Sequence, residues 1–104
     1  MILQFAIKII SAPKDFSSKE ISKVKKTGTM AKLSWKKLAG ATGYTVQYAT
    51  NKTFKKAKNV KVSKTTATIS GLKKGKIYYA RINAYTKVSG KKYTNRWYTV
   101  KFKM

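Results

Sequence analysis

Cysteine and histidine are absent from these 104 residues, and acidic side chains are limited to Asp15 and Glu20. Without cysteine there is no disulfide, no thiolate nucleophile and no thiolate metal site. Without histidine the commonest general base and the commonest metal ligand are missing. Asp15 and Glu20 share one Ser/Lys-rich stretch, PKDFSSKE. Paired-carboxylate hydrolysis needs two carboxyls held in one cleft, and calcium or magnesium needs several oxygen ligands, so this pair is a poor supplier of either. Ser34 lies near Lys36 and Lys37, but all of the 25 cationic side chains except Arg81 and Arg96 are lysine, so a serine beside a lysine is expected by chance. These absences point to a non-enzymatic chain with no cofactor and no metal. Proline occurs once, at Pro13, and no run approaches the roughly 18 apolar residues of a membrane helix. The opening MILQFAIKII is apolar but short, is interrupted by Gln4 and Lys8, and has no basic region before it, which makes it a poor secretory signal.

What is present is enough for one packed domain. The hydrophobic fraction is 42% and the aromatic fraction 12%, against a net charge of +23, so the chain is not a disordered basic tail. The apolar residues alternate. Leu3, Phe5, Ile7 and Ile9 share a parity, as do Ala31, Leu33 and Trp35 within 29–37, then Tyr44, Val46 and Tyr48. Val60 and Val62 continue the pattern, followed by Ala67, Ile69 and, after a glycine, Leu72. Tyr78, Ala80, Ile82 and Ala84 line one side of the longest segment, and Tyr98, Val100 and Phe102 share a parity in RWYTVKF. A period of two marks strands with one buried face. Glycines between 39 and 43, the lysine-rich NKTFKKAKN (a loop with room for one helical turn) and the tetrad Lys87 to Gly90 separate them. About seven short strands with turns at near-regular intervals predict an all-β, immunoglobulin-like antiparallel sandwich.

Several of these residues resemble the fibronectin type III family, in the lysine-rich form found in bacterial cell-surface proteins. Trp35 in KLSWKK is similar to the family's core tryptophan on its second strand, and Tyr44 to the aromatic that opens the third. Leu72-Lys-Lys-Gly75-Lys-Ile-Tyr78 follows the family's Leu-x-Pro-Gly-x-x-Tyr spacing, which makes Tyr78 the tyrosine-corner residue. Lys74 stands where the family usually has proline. Pro13 resembles the start of the family's first strand. The resemblance therefore covers residues 12–104 and leaves 1–11 as an N-terminal extension, read as an added strand in preference to an exchanged strand or the remnant of a preceding domain.

Parity also selects a candidate ligand face. Tyr79, Arg81, Asn83 and Tyr85 lie opposite the core side of their strand, and Trp97 and Lys101 have outward parity on the last strand, which neighbours it in this fold. Exposed aromatics beside cations stack on sugars or bases, or cover a partner's surface; the competing reading is cross-strand pairing that stabilises a solvated face. The loop TKVSGKK holds no acid, so the Arg-Gly-Asp activity of integrin-binding relatives is not implied. Asn51-Lys-Thr53 matches a glycosylation acceptor, a short pattern that also arises by chance. Lysines fall on nearly every outward position and loop, a distribution that favours a solvated surface over a shaped nucleic-acid groove, and two arginines are few for base readout. The resemblance implies a binding or spacer module of a bacterial cell-surface or secreted protein, with other proteins or anionic cell-wall polymers as partners. The alternative is a small intracellular basic protein that binds nucleic acid non-specifically, which the lack of a signal favours if Met1 is the native start.

Overall fold

The computed structural model describes residues 12–104, and the expected strand over Leu3 to Ile9, with the rest of the extension, lies outside the described residues. Among the described residues, eight strands form where β-branched and aromatic residues alternate with lysine: β1 (Lys25–Thr27), β2 (Met30–Ser34), β3 (Gly43–Ala49), β4 (Lys58–Val62), β5 (Thr66–Ile69), β6 (Ile77–Val88), β7 (Lys91–Thr94) and β8 (Tyr98–Lys103). β1, β2 and β5 make one antiparallel sheet. In the other, β3 lies between β4 and β6, while β7 and β8 share the far side of β6. The molecule is an antiparallel sandwich.

The inward parity residues meet between the sheets. Ala31, Leu33, Trp35, Tyr44, Val46, Ala67, Ile69, Leu72, Tyr78, Ala80, Ile82, Ala84 and Phe102 are buried together, and Tyr48, Val60, Val62, Tyr98 and Val100 pack against them partly exposed. The Trp35 indole meets the Tyr44 ring edge-on at 5.3 Å, and Tyr78 stacks on Phe102 at 5.9 Å. Loops add Phe16 and Leu38, whose isolated apolar positions carry no periodicity.

Five local features differ from the sequence expectation. The strand expected over 29–37 ends at Ser34, and Trp35 makes only a lone bridge to Ile21. The lysine-rich loop after β3 contains tight turns and no helical turn, with positive φ at Phe54 and Lys56. Lys87 and Val88 belong to β6, so only Ser89 and Gly90 turn the chain, at φ of 50° and 80°. That two-residue geometry matches the twist of the flanking strands. Thr45 and Asn83 have outward parity yet are buried, and they face each other across β3 and β6.

The fifth is the last strand, expected over RWYTVKF: β8 begins only at Tyr98, so Trp97 precedes it, and Lys91–Thr94 form the separate strand β7 ahead of the break. Tyr85 faces Thr94 and Ile82 faces Tyr98, so two residues of β6 oppose three residues of the partner. The extra residue is a bulge, and outward parity switches from even in β7 to odd in β8. Asn95 fills the break. Its backbone N–H donates to the Ala84 carbonyl at 3.0 Å, its Oδ1 accepts from the Ala84 N–H at 2.8 Å, and its Nδ2 donates to the Lys14 carbonyl at 2.8 Å. One buried amide thus replaces the interrupted ladder and pins the N-terminal lead-in to β6.

Candidate ligand face

The outer surface of the larger sheet brings together all the aromatic and cationic side chains that parity selected. Register sets Gln47 beside Arg81, Tyr79 beside Lys101, and Gly43 beside Tyr85. Arg81 occupies the centre. Its guanidinium lies 4.2 Å from the Phe54 ring and 4.5 Å from the Trp97 ring, and its Nε donates to Gln47 Oε1 at 2.7 Å. A planar cation between two ring faces is attracted by both quadrupoles, more so where water is partly excluded. Trp97 remains 37% exposed.

The two flanking tyrosines are already engaged. Lys92 Nζ lies 4.3 Å over the Tyr85 ring, and the ring crosses onto β3 so closely that a Cβ on Gly43 would clash with it. Glycine at 43 is therefore required by the ring and not by backbone conformation. Lys101 Nζ sits 5.8 Å over Tyr79. Asn83, between Arg81 and Tyr85, is buried with its Oδ1 lacking a hydrogen-bond partner.

Phe54 was not legible as a site residue, although it is the lone aromatic of NKTFKKAKN. The loop that presents it is built on Asn51: Oδ1 accepts from the Lys55 N–H at 2.9 Å and from the Thr53 hydroxyl at 3.0 Å, while Nδ2 donates to the Lys55 carbonyl at 3.1 Å. The pattern Asn51-Lys-Thr53 has this structural use, which occupies the amide nitrogen a glycan would need. Near the base of the loop, Tyr48, Leu72 and Tyr78 floor a cleft of about 350 Å³ rimmed by Lys55 and Lys58.

Structural tyrosines hold the frame of the site. The Tyr78 hydroxyl accepts from the Lys73 N–H at 2.8 Å, across the turn in which Gly75 has a φ of 81°. The Tyr44 hydroxyl accepts from the buried Leu38 N–H at 3.2 Å. Both acids are occupied elsewhere. Asp15 Oδ1 accepts from the Arg96 N–H at 2.8 Å and Oδ2 lies 3.9 Å from Arg96 Nε. Glu20 accepts from the Ser17 hydroxyl at 2.7 Å and the Ser17 N–H at 2.8 Å, and these bonds hold its carboxyl below the usual carboxylate range. Lys14 approaches its other oxygen at 3.8 Å.

The fibronectin type III domain model matches residues 11–100. The chain is a fibronectin type III domain. The family is generally non-catalytic and serves as a module for binding or spacing within proteins. A solved structure described as that of a myokine is similar over 89% of this chain and 95% of its own, at 18% identity and a TM-score of 0.62. The twitchin kinase region from C. elegans is similar over 86% of this chain but only 16% of its own, at 24% identity and a TM-score of 0.50. Both likenesses concern the fold alone. No curated protein matches the chain.

Proposed function

We propose that this fibronectin type III domain is a non-enzymatic binding or spacer module of a bacterial cell-surface or secreted protein, and that its surface attracts anionic polymers. The observation that carries the reading is the charge balance: +23 net, with both acids taken up by intramolecular partners. A field of one sign draws polyanions by releasing their counterions, so affinity falls linearly with salt on a log–log plot. The lysine-rich character, which resembles that of bacterial cell-surface modules, supports the location. The test is a salt titration against a teichoic-type polymer, a heparin-like polymer and DNA. Steep parallel slopes for all three are expected. Failure to bind any of them at about 0.15 M salt, where the Debye length is about 8 Å, would overturn the polymer affinity and leave a spacer. A marked preference for DNA would favour the intracellular nucleic-acid alternative.

A further inference from the structure

Of the two arginines among 25 cationic side chains, Arg96 lies beside Asp15, whereas Arg81 has no carboxylate partner among the described residues. Elsewhere the chain satisfies its need for charge with lysine. The guanidinium of Arg81 instead lies over both the Phe54 and the Trp97 rings, within 4.5 Å of each centroid, and its Nε is tied to Gln47. That bond uses the side of the fork containing Nε, and the two Nη groups, a pair of parallel donors, have no acceptor among the described residues. A guanidinium held this way has little rotamer freedom left to lose on binding, and its end-on pair matches the two oxygens of a carboxylate. Beside it Trp97 is 37% exposed.

We infer that Arg81 and Trp97 form a binding site for a carboxylate-bearing sugar polymer, the Nη pair of Arg81 taking the carboxylate and the indole stacking on the sugar ring. The inference rests on the polyanion reading above and names the site at which charge attraction becomes recognition. Charge complementarity requires an anionic occupant, since Lys92 and Lys101 flank the clamp and both side-chain acids are engaged with other partners, Asp15 with Arg96 and Glu20 with Ser17 and Lys14. An extended peptide has no free strand edge at Arg81, because β3 and β8 fill both ladders of β6 there. Single-stranded nucleic acid needs successive uncovered ring faces, but Tyr85 lies between Gly43 and Lys92, and Tyr79 lies under Lys101. One half-exposed indole suffices for one sugar ring.

The test measures the affinity of polygalacturonate, polyglutamate and poly(dT) for the wild-type chain and four variants, with thermal unfolding of each as a fold control. Arg81→Lys keeps the charge but loses the fork, and a loss of about tenfold is expected for polygalacturonate and polyglutamate with an unchanged salt slope. Trp97→Ala is expected to lose about tenfold for polygalacturonate only. Gln47→Glu leaves both rings in place and gives the guanidinium a carboxylate of its own, so it should weaken polygalacturonate more than Lys32→Gln, the same one-unit drop in net charge on the outer face of the other sheet. Equal affinity of Arg81→Lys and wild type, in a chain that still binds polyanions, overturns the site while leaving the polymer reading intact. An equal loss on poly(dT) overturns the choice of a carboxylate sugar. If no wild-type binding is seen, it is the polyanion reading that fails.

Discussion

Removing one oxygen from Tyr78 is a sharper probe of this domain than removing one from its neighbour Tyr79. The Tyr78 hydroxyl accepts the Lys73 N–H from within the core side of β6, so Tyr78→Phe leaves that part-buried donor unsatisfied. An expected loss of about 1–3 kcal/mol follows from the desolvation of an unpaired group. The Tyr79 hydroxyl makes no hydrogen bond among the described residues, its ring faces outward under Lys101, and Tyr79→Phe should cost under about 0.5 kcal/mol. Denaturant unfolding of the two variants checks the pair. Equal effects would mean that the corner contributes nothing beyond ring packing. Tyr78 was legible because its spacing from Leu72 and Gly75 is a local pattern. Asn95 was not. Its three bonds reach Ala84 and Lys14, far apart in sequence, and a lone asparagine in KKYTNRWYT carries no sign of them.

At the scale of elements, the turn that delivers Tyr78 contains a correctable weakness. The Lys76 N–H donates to the Lys73 carbonyl at 3.2 Å, and Gly75 holds the positive φ that the third turn position needs. Proline is favoured just before such a glycine because its ring presets φ and narrows the unfolded ensemble. Lys74→Pro should therefore stabilise by about 0.4–1 kcal/mol. It should also exceed Lys74→Ala, which removes the same charge without fixing the backbone. A thermal midpoint for Lys74→Pro at or below that of Lys74→Ala would show that residue 74 is not held in the conformation proline imposes. The same contrast explains which elements the sequence revealed. The strands built on Leu33, Val46 and Ile82 announce themselves, because burial of one face enforces a period of two. The split between β7 and β8 does not, since one inserted residue reverses parity and turns Tyr93 and Tyr98 into an apparent mismatch. The candidate face was half legible. Parity found Tyr79, Arg81, Tyr85 and Trp97, but Phe54 comes from a loop that Asn51 shapes through side-chain bonds to the backbone, a determinant with no periodic signal.

Across the whole molecule, charge of one sign works both for and against the fold. The edges are guarded by it: Lys25 and Lys26 lie on β1, Lys58 and Lys61 on β4, Lys101 and Lys103 on β8. Lysines on exposed edges discourage pairing with another chain. Lys26 Nζ also donates to the Lys103 carbonyl at 2.9 Å, tying the edges of the two sheets together. Against this, a net +23 on 104 residues repels itself, and folding brings those charges closer than they lie in the unfolded chain. Ion pairs offset little of this, since the only two side-chain carboxylates each have a cation within 4 Å, with Arg96–Asp15 exposed on both sides and Lys14 exposed opposite the half-buried Glu20. Raising salt from about 0.01 M to about 0.15 M shortens the Debye length from about 30 Å to about 8 Å. Most of the distant repulsion is then screened, while the close cation–ring contacts around Arg81 are much less affected. The thermal midpoint should therefore rise over this range, in chloride as well as in sulfate. A midpoint that stays flat in both salts would mean that bound anions already neutralise the surface at low salt. A rise with sulfate alone would attribute the stabilisation to an ion exclusion or site-binding effect in place of screening.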